Sequence, residues 1–324
     1  MEEKTMMKAL VRHRYGGPEV VRVEEVEKPV LEDDRVLVRV RASSINKADW
    51  YGLLGRPTLV RPMMGGIRRP KSRELGTDFA GVVEAVGKDV HGFAVGDEVF
   101  GGRDGAYAEY VAAKTLAHKP ANVSFEAAGT MGIAGLTALQ ALRDRGELRA
   151  GERVLVNGAS GGVGTLTIQI AKALGAHVTA VCSSRNVEQA RALGADKVID
   201  YTHEDFTRTA DRYDLVIDVA GSRSWRKVRR VLAPGGRVVV VGGPSGNPLI
   251  GPLAHIAAMK IASLGKARFF VAKFLDADLQ TLAELLESGA ITPVIDRTYD
   301  LDHAAEALHE FGQGHVSGKL VVVI

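Results

Sequence analysis

Apolar and polar residues alternate over the first third of the chain. Residues 36–45 (VLVRVRASSI) set Val36, Val38 and Val40 on one face and Arg39 and Arg41 on the other, the period of a half-buried strand. Residues 79–87 (FAGVVEAVG), 95–101 (VGDEVFG) and 108–113 (AEYVAA) continue the series, with turn signals at 16–18 and 87–89 between strands. Many short strands with few helix signals predict a compact β-rich domain of the barrel type over residues 1–122.

The pattern changes near residue 123. Ser124 reads as the N-cap of a helix that runs through Ala and Leu to about Arg145. Strand and helix then alternate. Near-continuous Val/Ile runs at 153–157, 177–182, 214–220 and 237–243 are joined by helical stretches at 162–175, 186–194 and 222–236. Such strands belong to a parallel sheet buried on both faces, here over residues 123–266. Beyond residue 267 an amphipathic helix (279–289), a second helical run and a last strand (318–324) do not extend the repeat. They are read as the chain returning to the first domain.

Asn157-Gly-Ala-Ser-Gly-Gly-Val-Gly164 follows a strand and opens a helix. Glycines there let backbone approach a pyrophosphate, and the helix N-terminus offers N–H groups to it. Ser160, Gly161, Gly162, Val163 and Gly164 are therefore candidate dinucleotide ligands; a merely tight turn is the plainer alternative. An acidic residue at the end of the next strand would favour NADH, but the chain has Cys182-Ser183-Ser184-Arg185. Hydroxyls and a guanidinium there suit a 2′-phosphate, so NADPH is expected, against a solvated turn with a surface arginine. Val241, Gly242 and Gly243 end the fifth strand of this sheet, at the carboxyl edge where ligands bind.

Composition narrows the class. Lys and Arg number 42 against 39 Asp and Glu, too small an excess to imply nucleic acid. The single cysteine, Cys182, excludes a disulfide framework and reads as a small buried strand-end residue. No stretch approaches the ~18 apolar residues of a membrane span, and residues 1–17 lack a signal peptide's apolar core, so a soluble cytoplasmic protein is expected. Six basic residues and no acid lie between Arg56 and Arg73, a loop that either steers an anionic substrate or solubilises the surface.

Ordered motifs at matching spacing make the chain resemble the medium-chain dehydrogenase/reductase superfamily, in its zinc-independent quinone oxidoreductase branch. They are Asn46-Lys-Ala-Asp49, Leu75-Gly-Thr-Asp-Phe-Ala-Gly81, Val95-Gly-Asp-Glu-Val-Phe-Gly101, Gly105-Ala-Tyr-Ala-Glu-Tyr-Val111, the glycine turn, Leu232-Ala-Pro-Gly-Gly236 and Gly318-Lys319. Met64-Gly-Gly-Ile-Arg-Arg-Pro-Lys71 is similar to the subgroup of reticulon-interacting mitochondrial oxidoreductases. The resemblance implies an α/β chain: a GroES-like catalytic domain, a Rossmann doubly wound parallel sheet and an active site between them. It implies a homodimer, formed through the Rossmann sheet edge near Met259–Leu264.

Zinc-dependent relatives hold their metal at positions that match Asn46, Thr77 and roughly Met131. Amide, hydroxyl and thioether are not a usual zinc set, and none of the nine histidines forms a metal-binding pair on one helix face. A zinc-free oxidoreductase is expected, acting on quinones or α,β-unsaturated carbonyls, whose reduction needs no Lewis acid to hold an alkoxide. Asn46 is expected beside the nicotinamide ribose or the acceptor oxygen, or to stabilise a turn; Tyr51, at the position of the family's active-site tyrosine, presents a phenol or packs. Asp49 reads as capping or paired. Tyr201 matches a residue near the adenosine phosphate, and Phe269 and Phe270 match paired aromatics near the site or pack in the core. Two departures stand out. Leu53 replaces an arginine of quinone reductases, and Pro57 a tyrosine of enoyl-thioester reductases, which leaves no identified proton donor. A dinucleotide-binding protein with little turnover and a zinc-type alcohol dehydrogenase are the alternatives.

Overall fold

The computed structural model describes residues 5–62, 66–243, 247 and 249–324. Of the Met64–Lys71 motif, Met64 and Gly65 lie outside the described residues. In chain order the elements are β1 (Met6–Arg12), β2 (Val21–Glu27), β3 (Val36–Ser44), α1 (Lys47–Leu54), β4 (Asp78–Val86), β5 (Glu98–Gly102), β6 (Tyr110–Ala113), β7 (Leu116–His118), α2 (Phe125–Ala128) and α3 (Ile133–Gln140). There follow β8 (Arg153–Asn157), α4 (Gly162–Ala173), β9 (His177–Cys182), α5 (Val187–Ala192), β10 (Lys197–Asp200), β11 (Tyr213–Asp218), α6 (Trp225–Val228), β12 (Leu232–Val240), α7 (Pro252–Ala262) and β13 (Ala267–Phe269). The chain ends with α8 (Asp276–Glu287), β14 (Ile295–Asp300), α9 (Ala304–Gln313) and β15 (Lys319–Val323).

These elements form two compact units. One comprises residues 1–136, 274–289 and 293–324; the other comprises 137–273 and 290–292. The chain passes from the first to the second inside α3, later than the change of texture at residue 123. The single long helix expected from Ser124 is broken. Ser124 Oγ does accept from Ala127 N at 3.2 Å, but α2 stops at Ala128, and the chain turns through Gly129–Gly132 before α3 begins.

In the first unit a seven-stranded mixed sheet runs in the order β14-β15-β3-β4-β5-β7, with β6 paired to β3, and β1 and β2 form an antiparallel pair. Burial along β3 follows its sequence: Val36, Val38 and Val40 are sealed and Arg39 and Arg41 are exposed. Phe79, Val83, Val99 and Val111 pack with those valines. The C-terminal elements complete this unit. β15 pairs antiparallel with β3, and α9 buries Ala304, Ala307 and Leu308 against Leu53 and Ile45.

The second unit is a six-stranded sheet in the order β10-β9-β8-β11-β12-β13, parallel throughout. Its Val/Ile strands are buried on both faces, as their lack of alternation requires. Strand order reverses between β8 and β11, so the carboxyl ends of these two strands mark the point where such sheets bind ligands. The stretch read as one helix over 222–236 is short: α6 is a single turn, and Leu232 already starts β12. Met259–Leu264 is the end of α7 and the turn after it, shortly before β13, one of the two edge strands of this sheet.

Candidate functional site

Two polar constellations stand out, one in each unit. In the first unit, α1 begins where β3 ends, so Ser44, Asn46 and Asp49 fall together. Asp49, three residues into the helix, accepts from the Asn46 backbone N–H at 2.9 Å and so caps α1, as its position in the sequence suggested. The same carboxylate accepts from Thr77 Oγ1 at 2.8 Å and from the Tyr107 hydroxyl at 3.1 Å. Gly76 lets these partners meet: its φ is +92°, and a Cβ there would stand 2.5 Å from the Tyr107 ring.

Asp78, at the start of β4, is the second buried carboxylate. It accepts from Asn46 Nδ2 at 2.8 Å, from Ser44 Oγ at 3.0 Å and from the Ile133 N–H at 2.7 Å. Lys319, at the start of β15, is buried beside both acids. Its Nζ donates to Asn46 Oδ1 at 2.5 Å and to the Ile45 carbonyl at 3.0 Å, and lies 3.6 Å from Asp78. The Asn46 amide therefore bonds to Asp78 and the Ser44 carbonyl through its two protons and to Lys319 through its oxygen. These bonds give Asn46 a role inside the unit, fixing where α1 begins, in line with the turn-stabilising alternative.

Burial decides the charge states. It pushes the Asp49 carboxyl from 3.8 up to about 6, with the nearby Asp78 charge adding to the rise and Thr77 opposing it. Burial lowers the Lys319 ammonium, against the two carboxylates that hold its proton. The Tyr107 phenol is raised well above its usual range by burial and then by Asp49, so it stays a donor.

Tyr51 lies on the same helix with its hydroxyl buried, and the Lys47 ammonium is 5.8 Å from its ring centre. Thr77 is occupied by Asp49, and Met131 is fully buried. An amide bonded to an ammonium, a hydroxyl bonded to a carboxylate and a thioether do not fit a zinc ion. Among the described residues no group of three or more His, Cys, Asp or Glu is placed to hold a metal.

In the second unit the glycine turn joins β8 to α4. The first intrahelical bond runs from Thr165 N–H to the Gly161 carbonyl, so the N–H groups of Gly162, Val163 and Gly164 have no intrahelical partner. A Cβ on Gly164 would come within 2.1 Å of the Gly158 carbonyl oxygen, which is why the helix can start so close to the strand. Asn157 ties the turn across the sheet. Its Nδ2 donates to Asp218 Oδ1 at 2.7 Å and to Ser222 Oγ at 3.1 Å, and the Val241 N–H bonds to the Asp218 carbonyl at 2.9 Å. Gly242 and Gly243 follow, and a Cβ on Gly242 would sit 2.4 Å from the Val219 carbonyl oxygen. These residues and Ser160–Gly164 thus share the carboxyl edge of the sheet at its reversal point, a cradle suited to a dinucleotide.

Ser183, Ser184 and Arg185 leave the end of β9, and Tyr201, 55% exposed, follows β10 beside them, its N–H bonded to the Cys182 carbonyl at 3.0 Å. Cys182 is buried and its thiol is pushed up to about 11. Phe269 ends β13 half-exposed, whereas Phe270 is buried with Arg145 5.8 Å from its ring centre.

Sequence reading alone missed Asp218, and took Asp78, Tyr107 and Lys319 only as parts of motifs. A signal was present for Asp78 and Lys319: each opens an apolar strand that the structure buries, a place where a charge must be paired.

Comparison with known proteins gives the family. Residues 32–121 match the alcohol dehydrogenase GroES-like domain, and residues 193–322 match the domain described as zinc-binding dehydrogenase. The chain is 33% identical to the mitochondrial NAD(P)H oxidoreductase RTN4IP1 of Mus musculus, covering 98% of this chain and 89% of that protein. It is also 33% identical to the chloroplastic NADPH-dependent alkenal/one oxidoreductase of Arabidopsis thaliana, over 98% and 79% of the two chains. The solved quinone oxidoreductase of Coxiella burnetii superposes with a TM-score of 0.87 at 32% identity, covering 99% of this chain and 100% of that one.

The raised Asp49 value has a signed consequence. The folded state binds this proton more tightly than the unfolded chain, so the stability it contributes is complete below about pH 4 and is lost as pH rises through about 6. Urea denaturation of wild type and Asp49→Asn between about pH 4 and pH 7 should show the difference moving in the variant's favour by about 2–3 kcal/mol. Parallel curves would mean that Asp49 is ionised throughout.

Proposed function

Because the chain belongs to the medium-chain dehydrogenase/reductase superfamily, in its quinone oxidoreductase branch, we propose that it is an NADPH-dependent, zinc-free reductase of quinones and α,β-unsaturated carbonyls. NADPH, when bound, supplies the hydride. The N–H groups at the start of α4 and the glycines after β12 hold the pyrophosphate and nicotinamide end. Ser183, Arg185 and Tyr201 receive the adenosine phosphate, with Ser184 beside them. Tyr51 presents its phenol to the acceptor oxygen as charge develops there, and Asn46 acts indirectly, by fixing α1. Phe269 supplies an apolar wall.

The observation that carries the zinc-free reading is the Lys319 ammonium bonded to Asn46, which closes a family ligand position to a metal. With an amide, a hydroxyl and a thioether at the positions that match the family's ligands, an acceptor that delocalises its own charge, as quinones and enones do, fits best. We further propose a homodimer built on the edge strand β13, supported by exposed Ile261, Leu264 and Val271 around that edge; a monomer in sedimentation equilibrium would contradict it. A single buried thiol suits a reducing, cytosolic location.

The test is NADPH oxidation followed at the nicotinamide absorbance with a panel of ortho-quinones and enones, with and without chelator. Turnover that chelator leaves unchanged is expected; turnover that chelator abolishes and zinc restores would return the chain to alcohol dehydrogenase chemistry.

A second reading of the acceptor, as an anion, is favoured by Arg12. This guanidinium is buried at 9% exposure, and its Nε and Nη1 have no hydrogen-bond partner among the described residues. It stands 5.5 Å from the Tyr15 ring, whose other neighbour is Arg61 at 4.6 Å, and its backbone N–H bonds to Arg73 at the end of the basic loop. Two buried N–H donors without acceptors are costly unless an oxygen completes them. Arg12→Leu should raise KM for a carboxylate-bearing enone about tenfold or more, leaving a neutral enone within about twofold. Equal changes for both would assign Arg12 to packing.

A further inference from the structure

The end of β9 and the end of β10 lie in register, Cys182 opposite Asp200. Ser183, Ser184 and Arg185 leave one strand there, and Tyr201 and Thr202 leave the other. The reading of Ser183–Arg185 as a 2′-phosphate site treats the Ser184 hydroxyl as a donor. In the structure that proton is already committed: Ser184 Oγ donates to Asp200 Oδ2 at 2.5 Å. Thr202 Oγ1 donates to Asp200 Oδ1 at 2.7 Å, and the Thr202 N–H bonds to the same oxygen at 2.9 Å. The two hydroxyl oxygens are 2.9 Å apart.

A hydroxyl has one proton and two lone pairs. With both protons on Asp200, Ser184 and Thr202 turn lone pairs toward any ligand at this strand end. Lone pairs accept from ribose hydroxyls and repel phosphate oxygens. Asp200 itself is held ionised, its carboxyl lowered first by the Ser184 bond and then by Thr202. The imidazole of His203 stands 3.7 Å from Asp200 on the solvent side. Ser183 differs from Ser184: its Oγ accepts from Asn186 Nδ2 at 3.2 Å, so its own proton points elsewhere. The strand end thus combines a donor serine and an arginine with a carboxylate and two hydroxyls arranged as acceptors.

We propose that Asp200 is a specificity-determining residue which, through Ser184 and Thr202, weakens recognition of a 2′-phosphate and admits the free ribose diol, so that the chain uses NADH as well as NADPH. The proposal rests on Ser183–Arg185 being the adenosine-phosphate site. Replacing Asp200 by Asn keeps an oxygen for the Thr202 N–H, removes the charge, and releases Ser184 to donate outward.

Calorimetric titration of the full chain with 2′,5′-ADP and with 5′-AMP separates the two claims without turnover. In Asp200→Asn the affinity for 2′,5′-ADP should rise about tenfold, as expected for loss of a like charge close to the phosphate, while 5′-AMP stays within about threefold. Arg185→Ala should lower 2′,5′-ADP binding selectively. If Arg185→Ala shifts the ratio of the two affinities and Asp200→Asn does not, the proposal is overturned and the phosphate site stands. If Arg185→Ala leaves the ratio unchanged, the phosphate site is lost and the proposal falls with it.

Discussion

Two carboxylates and one ammonium are sealed from water in the first unit, and each is compensated only while α1, β4 and β15 keep their places. Asp49 belongs to the first turn of α1, Asp78 to the start of β4 and Lys319 to the start of β15, the last strand of the chain. A buried charge without its partner costs several kcal/mol, so the C-terminal strand is held against β3 by more than its ladder bonds. Asn46 connects the three, accepting a hydrogen bond from Lys319 and donating one from its side chain to Asp78 and one from its backbone N–H to Asp49. The position of Tyr51, five residues further along α1, follows from this arrangement.

Of the positions that match the metal ligands of zinc-dependent relatives, Asn46 is bonded to the Lys319 ammonium and Thr77 to the Asp49 carboxylate. An ammonium can compensate nearby carboxylates but cannot take a carbonyl oxygen into a coordination shell. An acceptor able to spread the charge it receives, as quinones and enones do, suits a site built this way. The second unit works by a different means. Its cradle is made of backbone N–H groups and glycines, and Asn157 and Asp218 brace the two strand ends between which a dinucleotide belongs.

Much of this was legible from residue order alone. The unbroken Val/Ile runs of β8, β9 and β11 announced a sheet covered on both faces, and the glycine turn between β8 and α4 announced the cradle. The alternation of Val36, Val38 and Val40 with Arg39 and Arg41 gave the sidedness of β3. Helix lengths were less legible, because Gly129 and Gly132 interrupt an Ala/Leu run whose composition otherwise favours helix, and because Leu232 has no mark that ends α6. The site was legible as motifs and not as bonds. Asn46 and Lys319 lie 273 positions apart, and no local pattern shows that one amide would be consumed by the other residue's ammonium. The Ser184–Asp200 contact was hidden for a similar reason, since the two residues sit on different strands and meet only through the parallel register of β9 and β10.

The central claim is that Lys319 and Asp78 compensate one another within the fold. A double-mutant cycle tests it most directly, with Lys319→Met, Asp78→Asn and the double variant compared with wild type by urea denaturation at neutral pH. The account predicts that the double variant is more stable than the sum of the two single losses implies, by about 2 kcal/mol or more. Additive losses, within about 0.5 kcal/mol, would show that the two charges are stabilised independently and would contradict it.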